Sequence, residues 1–136
     1  MILPEHVRNA DIISKFLCTA TQAVRDLNFY TAEQERAQGE VMDIQHKIEL
    51  ENPNYKERAK LATKMQDALQ RRRTAKDAVA LLTPLVEWTQ TPQGIAAMNQ
   101  LREVLGKCRK QEDYFSRRTY RFRQLKEPDI PTKGGK

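Results

Sequence analysis

Apolar residues recur along most of this chain in alternating steps of three and four, the spacing of one stripe on an α-helix. Between Ile13 and Ile48 the stripe passes through Leu17, Ala20, Val24, Leu27, Tyr30, Ala37, Val41 and Ile44, with a gap at Gln34. A step averaging about 3.5 residues is a coiled-coil seam. It predicts a first helix over 9–51, weakest between Thr31 and Glu40, where the pattern turns polar and includes Gly39. Asn52-Pro53-Asn54 breaks the pattern. Pro53 cannot continue a helix, and Asn54 with Glu57 three residues on has the form of a capping box. A second helix is predicted over 54–90, with Ala62, Met65, Leu69, Arg72, Val79, Leu82 and Val86 on its stripe. Pro84 lies within it and is expected to kink or end it. Thr91-Pro92 repeats the cap-then-proline pattern. It opens a third helix over 92–125, whose stripe is Met98, Leu101, Leu105, Cys108, Glu112, Phe115 and Phe122.

These elements predict an all-α fold: an elongated antiparallel three-helix coiled-coil bundle, up-down-up, forming one domain over 1–126. Residues 127–136, with two Pro and two Gly, read as a flexible basic tail with no core to join. The short break at Asn52 makes the first two helices antiparallel neighbours. Residues whose numbers sum to about 105 then share a level, placing Leu27 by Val79, Ile44 by Ala62, Leu17 by Trp88 and Gln34 by Arg72. If the third helix returns along the second, Glu112 joins the same level. Gln34, Arg72 and Glu112 then form a polar layer that sets the register of the seam. That register also offsets Cys18 from Cys108 by about 20 Å along the bundle, so no disulfide is expected.

Charge sharpens this picture. The chain has 136 residues, 39% hydrophobic, 31% charged and 7% aromatic, which suits long solvated helices with a narrow seam rather than a sheet protein. Its net charge of +6 is unevenly spread. The segment 1–54 has five Lys/Arg against nine Asp/Glu, 55–91 has eight against four, and 92–136 has eleven against five. An acidic first helix should pack against two basic ones, with the positive surplus left in the last third. The apolar opening Met1–Leu3 is too short for an export signal, and no apolar run approaches a membrane span of about 20 residues. With two unmotivated cysteines, the expectation is a reduced, cytoplasmic protein with no membrane association.

Catalytic and metal chemistry find little support. There is no phosphate-cradling glycine loop, no paired-cysteine motif and no Ser-His-acid constellation at usable spacing. His6 and His46 lack the converging ligands that a metal needs, and Glu33, Glu35 and Glu40 have no Glu-x-x-His partner. No enzyme activity, cofactor or small-molecule substrate is therefore expected. The run Arg71-Arg72-Arg73 spreads around a helix, so at most two of the three share a face.

The most suggestive stretch runs from Tyr114 to Lys126, and Lys107, Arg109 and Lys110 extend its positive strip toward the helix start. It interleaves Tyr114, Phe115, Tyr120 and Phe122 with Arg117, Arg118, Arg121 and Arg123. Phe115 and Phe122, seven apart, belong on the seam. That leaves Lys110, Tyr114, Arg117, Arg118, Tyr120, Arg121, Arg123 and Lys126 as a candidate partner-binding surface. The plain alternative is a solvated basic helix lying on the acidic one. Guanidinium groups grip carboxylates and phosphates, and exposed aromatics fill pockets or stack bases. The expected function is that of a non-catalytic helical binding protein, an adaptor, inhibitor or assembly factor, docking on a macromolecule with an acidic surface. Sequence-nonspecific nucleic-acid binding by the same arginine strip is the alternative. Narrow seams also allow a homodimer in which another copy completes the core. Trp88 reads as the residue closing one end of the bundle, or as a binding anchor.

Overall fold

A computed structural model of the chain describes residues 7–119 and Gln124. It has three helices and, among the described residues, no strand: α1 (Asn9–Glu51), α2 (Tyr55–Thr89) and α3 (Pro92–Arg117). The expected all-α three-helix bundle is observed. Tyr120–Phe122 and the tail over 127–136 lie outside the described residues.

The breaks follow the local chemistry of their residues. Asn52 leaves α1 in the left-handed conformation (φ 45°, ψ 61°), which Asn tolerates better than other residues bearing a Cβ. Pro53 is buried beneath the turn. Asn54 then caps α2 reciprocally: its Oδ1 accepts from the Glu57 N–H at 2.9 Å, and its Nδ2 donates to Glu57 Oε1 at 3.0 Å. At the second corner the Thr91 hydroxyl oxygen accepts from the Gly94 N–H at 3.0 Å and donates to the Trp88 carbonyl at 2.7 Å. Pro92 occupies the first turn of α3, as predicted. Gly94 is required here, because a Cβ at that position would lie 1.8 Å from the Trp88 carbonyl oxygen. Pro84 does not end its helix; α2 runs through it to Thr89. The described part of α3 stops at Arg117, short of the predicted 125. The Arg118 backbone is extended (φ −67°, ψ 135°) and its N–H bonds back to the Phe115 carbonyl at 3.4 Å.

The seam between α1 and α2 is the largest helix interface. On α1 it buries Leu17, Ala20, Ala23, Ala37, Val41 and Ile44; on α2 it buries Leu61, Ala68, Ala75 and Val86. With half-buried Met65, Arg72, Val79 and Leu82 between them, the α2 positions step four-three without a fault. The predicted α2 stripe was one residue out at its start, where Ala62 and Leu69 are exposed and Leu61 and Ala68 face inward. The antiparallel register is as predicted. Buried residues match in pairs summing to 105 or 106, Ile44 with Leu61, Ala37 with Ala68 and Ala20 with Val86.

The third helix meets the expected level at Met98 and departs from it further along, where Arg109 lies by Ser14. It closes over one end of the hairpin: Met98 packs with Leu17 and Ala20, and Ile13, Leu101 and Leu105 complete the cluster. Further along α3, Arg109 Nη2 donates to Ser14 Oγ at 3.3 Å. About 30 Å of helix separates Ser14 from Gln34 at 1.5 Å per residue, so Glu112, one turn past Arg109, does not share the level of Gln34 and Arg72. The predicted three-membered layer is thus reduced to its two hairpin members. The cause is burial. The middle of the hairpin presents Gln34, Glu35, Gln38 and Lys76 around Met42, whereas the end presents the aliphatic Ile13 and Leu17. The expected 20 Å offset of Cys108 from Cys18 assumed the other register and falls with it; both cysteines are free.

Two stability measurements test this packing. Ala68→Leu should destabilise by about 1–3 kcal/mol in urea unfolding through overpacking, while Ala62→Leu stays within about 0.5 kcal/mol of the parent. Equal effects would misplace the seam by one residue. Gly94→Ala should cost about 1–3 kcal/mol, because the colliding atom is a backbone carbonyl that a rotamer change cannot move.

Candidate interaction surface

With Met98, Leu101 and Leu105 turned to the hairpin, the opposite side of α3 is presented to solvent. Lys107, Lys110, Tyr114 and Arg117 step three-four-three along that side, and all four are exposed, Tyr114 by 59%. Their charge is not fully free, since Arg117 pairs with Asp113 one turn back. Arg118, just past the helix end, sets its guanidinium over the Phe115 ring, 4.7 Å from its centre, covering the face of a half-buried aromatic. Tyr114 and Phe115 lie 5.5 Å apart between ring centres. Of the predicted surface, the structure therefore brings Lys110, Tyr114 and Arg117 onto one helix face and leaves Arg118 beside it. Tyr120, Arg121, Arg123 and Lys126 lie outside the described residues.

The arginine run fans out as its helical spacing requires. Arg71 forks onto Glu40 across the hairpin (2.5 and 3.0 Å) and also holds Asp67 at 2.9 Å. Arg72 turns to the other flank and donates to Gln38 Oε1 at 2.9 Å; Arg73 is exposed. Gln34 and Arg72 line one cavity of about 510 Å³ with Gln38, Gly39 and Met42, so the two polar interruptions of the hairpin do coincide. The hydrogen bond from Arg71 lowers the Glu40 carboxyl below its ordinary value, and Glu40 and Asp67 together raise Arg71. Acid complementarity is thus realised between α1 and α2. The acids Glu33, Glu35 and Glu40 lie along the hairpin far from the α3 contact at Ile13, Leu17 and Ala20, so none of the three pairs with the outer face of α3.

Sequence reasoning did not single out a second cationic feature. Arg25 of α1 and Arg102 of α3 line a cavity of about 350 Å³ at the junction of the three helices, with Val24, Ile95 and Met98. They are far apart in sequence and meet only through the packing of α3, so no spacing rule brings them together. Trp88, 37% exposed, serves the α2–α3 corner through its carbonyl, which accepts from Thr91. His46 is exposed, and among the described residues no three His, Cys, Asp or Glu converge as metal ligands. No helix of the described residues is long and apolar enough to cross a membrane.

Fold and surface together define a class: an all-α three-helix protein whose last helix carries a basic, aromatic outer face. Comparison with known protein families, curated proteins and solved structures yields no match.

The Glu40–Arg71 fork makes a signed pH prediction. A lowered carboxyl contributes stability that is complete above its unfolded value of 4.5 and is lost as pH falls through the lower folded value. The melting-temperature advantage of the parent over Glu40→Gln should therefore be constant near neutrality and vanish in acid. An advantage that grew on acidification would show that the fork does not stabilise the hairpin.

Proposed function

We propose that this protein is a non-catalytic binding protein, an adaptor, inhibitor or assembly factor, that docks on the acidic surface of a macromolecule through the outer face of α3. The observation that carries the reading is the row Lys107, Lys110, Tyr114 and Arg117, exposed together on the side of the helix that the bundle does not use. A tyrosine flanked by cations at helical spacing has the makings of an interface anchor. The ring contributes apolar area at low entropic cost, and the cations guide approach and set orientation. The described residues offer no constellation that would hold or transform a small substrate, and the reading needs none.

Nucleic acid is the competing partner, favoured by the same cations beside an exposed ring. Salt separates the two. Neutralising about four phosphates predicts an affinity for a duplex or single strand that falls on the order of a hundredfold between 50 and 200 mM salt, indifferent to sequence. An acidic protein partner held by a buried tyrosine should survive physiological salt.

The test is recovery of partners from the native host at physiological salt, with and without nuclease, using the parent, Tyr114→Ala and Lys110→Glu chains. The proposal expects a nuclease-resistant protein partner whose affinity falls about 10–30-fold with Tyr114→Ala. Retention that disappears with nuclease or with moderate salt assigns the strip to nucleic acid instead.

A further inference from the structure

The cavity at the three-helix junction has a chemistry of its own. Its floor is aliphatic: Ala20 and Met98 are buried, Val24 is half-buried, and Ile95 presents an apolar side chain that is 51% exposed. Neither an aromatic ring nor a carboxylate lines it. Two guanidinium groups stand on its walls from different helices. Arg102 donates to Asn99 Oδ1 at 2.9 Å, a neutral acceptor that leaves its charge uncompensated. Arg25 has no hydrogen-bond or ion-pair partner among the described residues. The cavity over Glu40, Asp67 and Arg71 is different in kind, since there acids and bases satisfy one another.

An apolar recess walled by two cations with no acid partner among the described residues fits an apolar side chain carried on an anionic segment. Burial of that side chain supplies the non-directional part of the affinity, and each guanidinium can fork onto a carboxylate beside it. A nucleotide would bring its phosphates to the arginines but would find no ring on which to stack its base. The recess is also preformed. Gly94 lets α3 approach the Trp88 carbonyl, and Met98 on Leu17 and Ala20 holds the helix in place.

The geometry points to this junction cavity as the specificity site for an acidic protein segment: an apolar anchor residue enters between Val24, Ile95 and Met98 while flanking carboxylates pair with Arg25 and Arg102. The inference rests on the reading that the partner is an acidic protein. It assigns the choice of partner to the cavity and leaves general charge attraction to the outer face of α3.

The probes are end-capped peptides of Asp and Glu around a single central Leu, Met or Phe, titrated into the isotope-labelled full chain. An Ala-centred peptide, a Lys-flanked peptide and an oligo-dT strand serve as comparisons. Saturable shifts of the Thr21, Ile95 and Met98 amides with at least one acidic apolar peptide are expected, weakened about tenfold for the Ala-centred peptide. Arg25→Gln and Arg102→Gln, both at exposed positions, should each weaken binding about tenfold. Lys60→Gln, at an exposed position of α2 away from both surfaces, should leave these shifts unchanged. The proposal is overturned if Leu- and Ala-centred peptides bind alike, if no peptide moves these amides at millimolar concentration, or if oligo-dT moves them more than any peptide. Binding lost with Lys110→Gln but not with Arg25→Gln would sink the cavity and spare the outer face, whereas a preference for oligo-dT would sink the acidic-protein reading with it.

Discussion

Small residues buried along the hairpin seam make the contact on which the rest of this molecule depends. Ala20, Ala23 and Ala37 on α1 and Ala68 and Ala75 on α2 are buried, and no large side chain is fully enclosed anywhere among the described residues. Small residues at a helix contact bring the axes toward the short end of the usual 8–10 Å range. Close approach is what lets flanking side chains reach across. Arg71 meets Glu40 and Arg72 meets Gln38 because the backbones between them are near. Such a seam buries little apolar area per residue, so its stability rests on length, with 43 residues in α1 and 35 in α2.

A narrow hairpin cannot accept a third helix equally well at every level. Its middle is occupied by the polar pair Gln34 and Arg72 with their neighbours, and its buried residues there are alanines. Bulkier aliphatic residues gather at the end near Ile13 and Leu17, and that is where Met98, Leu101 and Leu105 find cover. One packing choice then has three consequences. Glu33, Glu35 and Glu40 of α1 stay far from the α3 contact, the outer face of α3 stays open, and Arg25 and Arg102 come together over an aliphatic recess. The surfaces proposed for binding are a product of where α3 stops short of covering the hairpin.

Much of the molecule was legible from its residues. The three helices, both corners, the Asn54–Glu57 cap and the antiparallel register follow from local rules: proline lacks an N–H, asparagine accepts from the first turn, and a short connection leaves no other course. The α2 stripe was displaced at its start because Ala62 and Leu69 scan as apolar just as Leu61 and Ala68 do. A seam built from small residues carries little contrast, and only the partner helix distinguishes one choice from its neighbour. Of the candidate surface, Lys110, Tyr114 and Arg117 could be placed on one face by helical spacing alone, and they are.

Periodicity and capping are properties of residues a few positions apart, so the sequence by itself determined which segments are helices, where they turn, and that the first two lie side by side. The level at which α3 settles was decided only by tertiary structure. That level depends on how much apolar surface each alternative buries, a comparison between surfaces far apart in the chain and invisible to any local pattern. Glu112 was assigned to the hairpin's polar layer, and the Arg25–Arg102 cavity was missed, for this one reason.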